Sequence, residues 1–231
     1  MNKTYFQIIC FICVLNLGMV AYGSPSLNSI PQQIENYKTC VTALVTGASA
    51  LPWINAFAAC SARNDSKTAT KCLADLQASD STLNPAVVAM ACAGGSVAAP
   101  VSSCMTALSQ NDGLDPSISN SACSAGGNAS AAELCLQNLM KPTADDPLGI
   151  DNVTAAILCG AGNTASQALG CYNSVTTIYK LYVAQACSGG NDANWVNNCV
   201  AYGMAHLQGL AGTTGQEDRA ASFACANSLI K

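Results

Sequence analysis

The stretch SACSAGGNASAAELC, from Ser121 to Cys135, holds the unit from which the chain is built. An apolar segment closes on Cys123, a small-residue turn follows, and Cys135 sits twelve positions after Cys123. The same step recurs at Cys60/Cys72, Cys92/Cys104, Cys159/Cys171 and Cys187/Cys199. Recurrence at a fixed distance marks a repeated supersecondary element and not a flexible Gly/Ser linker.

Two half-motifs flank each turn. One is a cysteine followed by apolar residues at the next position and at four beyond: CVTAL at Cys40, CLADL at Cys72, CMTAL at Cys104, CLQNL at Cys135 and CYNSV at Cys171. The sixth copy, CVAYG at Cys199, keeps the first apolar position and loses the second. Positions i, i+1 and i+4 share one helical face, so each copy predicts one side of an amphipathic helix. The other half-motif ends an apolar segment on cysteine and then stops it with small residues, as in MACAGGS at Cys92 and QACSGGN at Cys187. Gly and Asn there predict helix ends. Ser66, Ser96, Ser130, Thr164 and Asp192 are placed to cap the helices that follow, Ser130 with Glu133 as a capping box. No segment alternates cleanly over six residues, so the fold expected is all-α. It is an array of about six helical hairpins, stacked as a solenoid or closed as a bundle, with units near 34–64, 65–95, 96–127, 128–163, 164–190 and 191–231. Residues 24–33, with two prolines and no apolar period, read as a lead-in linker.

Geometry selects the cysteine pairing. A disulfide needs Cα atoms about 4.4–6.8 Å apart, so partners must stand at similar height above a hairpin turn. Cys72 lies about seven residues before its loop and Cys92 about seven after it. Across the short turn, Cys92 is about two residues from its helix end and Cys104 about eight into the next helix. At 1.5 Å per residue that is a mismatch of about 9 Å. The expected pairs are therefore Cys40–Cys60, Cys72–Cys92, Cys104–Cys123, Cys135–Cys159, Cys171–Cys187 and Cys199–Cys225. Cys171 to Cys187 is the difficult interval. It holds neither Gly nor Pro and reads either as one continuous helix, which would forbid the bond, or as a tight turn begun by the β-branched pair Thr176-Thr177. Each bond is worth on the order of 3 kcal/mol in the chain-entropy model, which matters for short helices that are marginal alone.

The compartment follows from the N-terminus and the cysteines. Residues 1–23 carry one early cation, Lys3, an apolar run and a small-x-small site at Ala21-Tyr22-Gly23, the pattern of a cleaved secretory signal. Removing it leaves twelve of the fourteen cysteines, an even number, in an exported chain where disulfides are the default. The expected location is secreted, cell-surface or periplasmic, with no transmembrane segment after signal removal. Nine Lys/Arg against thirteen Asp/Glu give a net charge of −4, and losing Lys3 makes it about −5. Without a basic run, nucleic acid is not an expected partner.

Candidates for chemistry are few. The single histidine, His206, lies in an apolar helical context and leaves no room for a His-based metal site. Asp112/Asp115 and Asp145-Asp146 fall in loops, where aspartate favours turns. Gly-Gly pairs follow helices, whereas phosphate-cradling loops follow strands. Trp195, Tyr172, Tyr179, Tyr182 and Tyr202 gather in the last two units, where they read first as core packing and, as the alternative, as a binding face, since Tyr and Trp are enriched at interfaces. Asn64, Asn128 and Asn152 lie in glycosylation sequons. The expectation is a non-enzymatic, exported interaction module with a protein or glycan partner and no cofactor. The alternative is a thiol-based protein that binds or stores copper or zinc, since thiolates select those metals.

Overall fold

A computed structural model describes residues 26–47, 50–62, 65–112, 114–124, 128–141, 150–160, 164–190, 192–210 and 214–226. The expected signal at 1–23, Asn64 and Asp145-Asp146 lie outside the described residues. Among these there are twelve α-helices and no strand, with long and short helices alternating. The long ones are α1 (Ile30–Thr46), α3 (Ser66–Ser79), α5 (Ala98–Asp112), α7 (Ala129–Met140), α9 (Ala165–Ser174) and α11 (Ala193–His206). The short ones are α2 (Trp53–Ala59), α4 (Pro85–Ala91), α6 (Pro116–Ala122), α8 (Asn152–Leu158), α10 (Lys180–Cys187) and α12 (Glu217–Cys225). No described helix is long and apolar enough to cross a membrane.

Helices of like parity pack on one another in two complete circuits. The long helices contact in the order α1, α3, α5, α7, α9, α11 and back to α1; the short helices do the same from α2 to α12 and back to α2. The array is closed. Burial tells which ring is inside. In the long helices, buried residues fall three before each cysteine (Tyr37, Ala69, Val101, Ala132, Ala168, Val196), at the cysteine, and four after it. That is a single inward stripe, with the other face wet. In the short helices whole segments are buried, for example Asn55 to Ala59, Val183 to Cys187 and Ala220 to Cys225. These form the inner ring.

Six disulfides join each outer helix to the inner helix that follows, in the six expected pairs, with Cα–Cα distances of 5.7–5.8 Å. The difficult interval contains a turn. The α9 helix ends at Ser174, Val175 is buried, and α10 starts at Lys180, whose ammonium donates to the Tyr172 carbonyl at 3.0 Å. The chain reverses through residues 175–179, with its bends at Thr177 and Ile178, one residue on from the pair expected, and Cys171 and Cys187 face each other.

Six inner helices converging on one axis leave little room at their C-terminal ends. The residue after each inner cysteine is small and buried: Ser61, Ala93, Ser124, Gly160, Ser188 and Ala226. A Cβ at Gly160 would lie 2.8 Å from Ser124 Oγ and 2.9 Å from the Ser121 carbonyl, so only glycine fits there. Ser61, Ala93, Ser124 and Ser188 share with Met90, Ser121, Ile157 and Gln185 a void of about 10 Å³, room for roughly one water.

The ring closes where the last hairpin meets the first. Gln33 of α1 donates from Nε2 to the carbonyls of Ala224 (2.7 Å) and Ala226 (3.3 Å) at the end of α12. A Cβ on Gly203 of α11 would meet Ala221 Cβ at 3.0 Å and Ile34 Cδ1 at 3.3 Å. The apolar position missing from the sixth copy is thus where α11 approaches both α12 and α1.

Four local expectations are corrected. The lead-in read as a linker to residue 33 is helical earlier: a 3₁₀ turn at Leu27–Ser29 runs into α1 at Ile30, with Pro31 in the first turn, where its missing amide costs nothing. The caps of α3 and α7 are Asp65 and Asn128, one and two residues before the serines expected, and both carboxyl or amide oxygens accept an amide three residues on. The capping box falls at Thr164 and Gln167 and not at Ser130 and Glu133. Ser96 instead turns its hydroxyl back to the Ala93 carbonyl at 2.6 Å. Thr164 and Asp192 cap as expected.

Candidate binding site

Two equivalent clefts open at neighbouring seams of the outer ring. The first, of about 310 Å³, lies between α1 and α3 and is lined by Leu44, Leu51, Thr70, Leu73, Ala74, Gln77, Pro85 and Val88. The second, of about 240 Å³, lies between α3 and α5 and is lined by Leu76, Asp80, Leu83, Ser102, Met105, Thr106, Ser109, Gln110, Pro116 and Ser119. Leu44 and Leu76 each stand four after an outer cysteine, Leu73 and Met105 one after, and Val88 and Ser119 four before an inner cysteine. The geometry recurs and the chemistry changes: Ala74 becomes Thr106, Gln77 becomes Ser109 and Val88 becomes Ser119. The first cleft is almost wholly apolar, while the second mixes Leu76, Leu83, Met105 and Pro116 with the hydroxyl, amide and carboxylate groups of Ser102, Thr106, Ser109, Gln110, Ser119 and Asp80.

Asp80 is the charged group of the second cleft. It caps the C-terminus of α3 through its amide, and its Oδ1 accepts the Thr82 amide at 2.9 Å and the Thr82 hydroxyl at 2.6 Å. These two bonds hold its carboxyl below the usual range. No basic residue occupies the last turn of α3.

The aromatic residues proposed as a face divide. Trp195 is only 1% exposed and belongs to the core; Asp192 caps the start of α11, and the register sets the indole inward beside Val196. Its Nε1 has no hydrogen-bond partner among the described residues. Tyr179, by contrast, is 69% exposed and packs edge-on against Tyr182, ring centres 5.7 Å apart. Lys180 lies 4.6 Å over the half-buried Tyr172 ring. The Thr177 hydroxyl donates to Asn197 Oδ1 of α11, tying this loop to the neighbouring hairpin. Tyr202 is elsewhere, stacked 3.7 Å from His206, whose Nδ1 donates to the Tyr202 carbonyl. The structure therefore brings together Tyr172, Tyr179 and Tyr182, and separates Trp195 and Tyr202 from them.

Several other carboxylates serve the fold. Asp65, Asp115 and Asp151 accept amides at the starts of α3, α6 and α8. Asp65 is lowered by its bonds to the Thr68 amide and hydroxyl, and Asp115 by those to Ser117. At Asp151 burial pushes the carboxyl up, but bonds to Thr154 and Val153 outweigh it and the net shift is down. Glu35 and Asp75 pair with Lys38 and Lys71 along their own helices. Asn128 and Asn152 are exposed at the starts of α7 and α8. Among the described residues all twelve cysteines are bonded in pairs, so none of them offers a thiolate to a metal. No group of three or more His, Cys, Asp or Glu with metal-binding spacing occurs among the described residues.

Sequence reasoning missed the clefts. They depend on which face of each helix a neighbour leaves uncovered, and the one available signal was the switch from apolar to polar residues between matching positions of the second and third copies. Comparison with protein-family models, curated proteins and solved structures finds no match.

Proposed function

We propose that this is an exported, disulfide-locked ring that acts by binding and not by catalysis, with the clefts at the first two outer seams as its binding site. The observation that carries the reading is the first cleft. It is an open apolar hollow of about 310 Å³, at the lower end of the sizes that ligand sites occupy. Its walls are held by two disulfides, Cys40–Cys60 and Cys72–Cys92, so little ordering is needed when something enters. The commitment of Asp65, Asp115 and Asp151 to helix caps supports a role without turnover. Six disulfides suit an oxidising, extracellular setting.

The test is titration of the oxidised protein with Nile red, a neutral apolar dye. Saturable, blue-shifted emission that Leu73→Gln removes and Tyr179→Ala leaves intact would support the reading. Emission that fails to saturate, or that ignores Leu73→Gln, would refute it. The exposure of Tyr179 beside Tyr182 favours a second reading, a sugar ring stacked on that tyrosine. Retention on an immobilised-glycan array that Tyr179→Ala abolishes is the result it requires.

A further inference from the structure

We propose that the two clefts together take one extended peptide segment, with a large aliphatic side chain in the first cleft and, three residues along, a lysine or arginine in the second. This rests on the binding role argued above and adds the chemistry of the partner.

The spacing comes from α3, which lines both clefts. Leu73 lines one flank and Leu76 and Asp80 the other. Packed helices stand about 8–10 Å apart, so the two clefts are separated by about that distance. A polyproline II segment has three residues per turn and a rise of about 3.1 Å. Its side chains i and i+3 therefore point the same way, about 9 Å apart. An alternating β-strand would turn i+3 to the opposite face.

The choice of groups comes from the linings. Leu44, Leu73 and Val88 offer an aliphatic side chain nothing but apolar contact. In the second cleft Asp80 sits at the C-terminal end of α3, where the helix dipole is negative. Among the described residues its carboxylate's partners are the neutral amide and hydroxyl of Thr82. A guest cation finds there a charge that no described residue neutralises. Ser102, Thr106 and Gln110 can meet a peptide backbone's donors and acceptors. A continuous acyl chain laid across both clefts would instead cover those groups without hydrogen bonds, which costs free energy.

The experiment uses the oxidised full chain and capped peptides containing Leu-Pro-Pro-Lys, Leu-Pro-Pro-Gln or Leu-Pro-Pro-Glu, followed by fluorescence polarisation at low salt. Affinity should fall in the order Lys, Gln, Glu, with about fivefold between the ends, the scale of an exposed charge pair. Asp80→Asn should reduce that ratio below twofold while preserving the need for Leu, and added salt should compress it. Leu73→Gln should weaken all three peptides, its fold checked by circular dichroism. A Glu peptide that binds as well as the Lys peptide, or an unchanged order in Asp80→Asn, overturns the proposal whatever the behaviour of Leu73→Gln. If no peptide binds while Nile red occupies the first cleft, the peptide inference fails and the binding role stands. If neither binds, both fail.

Discussion

Gly203 occupies the position at which five other outer segments carry a buried Leu or Val: Leu44, Leu76, Leu108, Leu139 and Val175. A repeat that breaks its own rule at one copy invites restoration, and here restoration should do harm. Even a methyl group would press on Ala221 Cβ at 3.0 Å, with Ala221 Cα at 3.4 Å behind it, and on the tip of the Ile34 side chain, Cδ1, at 3.3 Å. Gly203→Leu should therefore lower the urea-unfolding free energy of the oxidised protein by about 1–3 kcal/mol, the usual cost of overpacking. Gly170 is the control. It lies within α9 with nothing within 4 Å of where its Cβ would stand. Gly170→Ala should stabilise by about 0.5–1 kcal/mol through helix propensity and reduced freedom of the unfolded chain. If both substitutions move stability in the same direction, close approach of α11 to α1 and α12 is not what selects glycine at 203.

Among the outer helices, α5 begins after a residue whose side chain has no hydrogen-bond acceptor. The position just before each of α3, α7, α9 and α11 holds Asp65, Asn128, Thr164 or Asp192, whose side chain accepts a helical amide. Before α5 it holds Val97, which is 64% exposed. Val97→Asp should add the missing cap and stabilise by about 1 kcal/mol, seen as a raised midpoint in thermal unfolding, with no change if the start of α5 is already satisfied. The caps also set the acid limit. Asp65, Asp115 and Asp151 titrate below their ordinary value when folded. Their contribution is therefore fully present above the unfolded carboxyl pKa, about 3.9, and is lost as pH falls through the lower folded values. The melting midpoint should be level from pH 7 to about 5 and decline below about 4, and Asp65→Asn, which can still cap, should flatten part of that decline. These details show what was legible in the chain. Helices, turns and disulfide partners follow from spacing because a helix has fixed rise and period, so Cys72 and Cys92 had to stand level. Cap identity did not, since Asp65 and Ser66 are both good caps and only the entry angle of the chain separates them. Trp195 stayed open for a similar reason: composition allows core or interface, and the register of α11, which buries it, decides for the core. The clefts were hidden because they exist only between elements.

Closure governs the molecule as a whole. An open solenoid has end repeats that contact one neighbour each, and its stability is a sum of nearest-neighbour terms, so its ends fray first. This ring has no ends in that sense: α1 packs on α11, α2 on α12, and Gln33 bridges from α1 to the last carbonyls of α12. Whether the array closed was not readable from the units, because it depends on the rotation between successive hairpins, which no single copy encodes. The loss of the apolar residue at position 203 and the small residues after each inner cysteine were the traces that closure left in the sequence. The two ends of the chain should then share the stability of its middle. Under native conditions, amide hydrogen exchange in α1, α2, α11 and α12 should proceed through the same global opening as in α5 to α8. Gln33→Ala should break that equality, leaving α1 and α12 to exchange by a cheaper local opening while α5 to α8 keep their protection. If the first and last hairpins of the unaltered protein already exchange orders of magnitude faster than the central ones, the hairpins behave as an open array in solution. The walls of the first cleft, built on α1 and α3, would then lack the rigidity that the binding role requires.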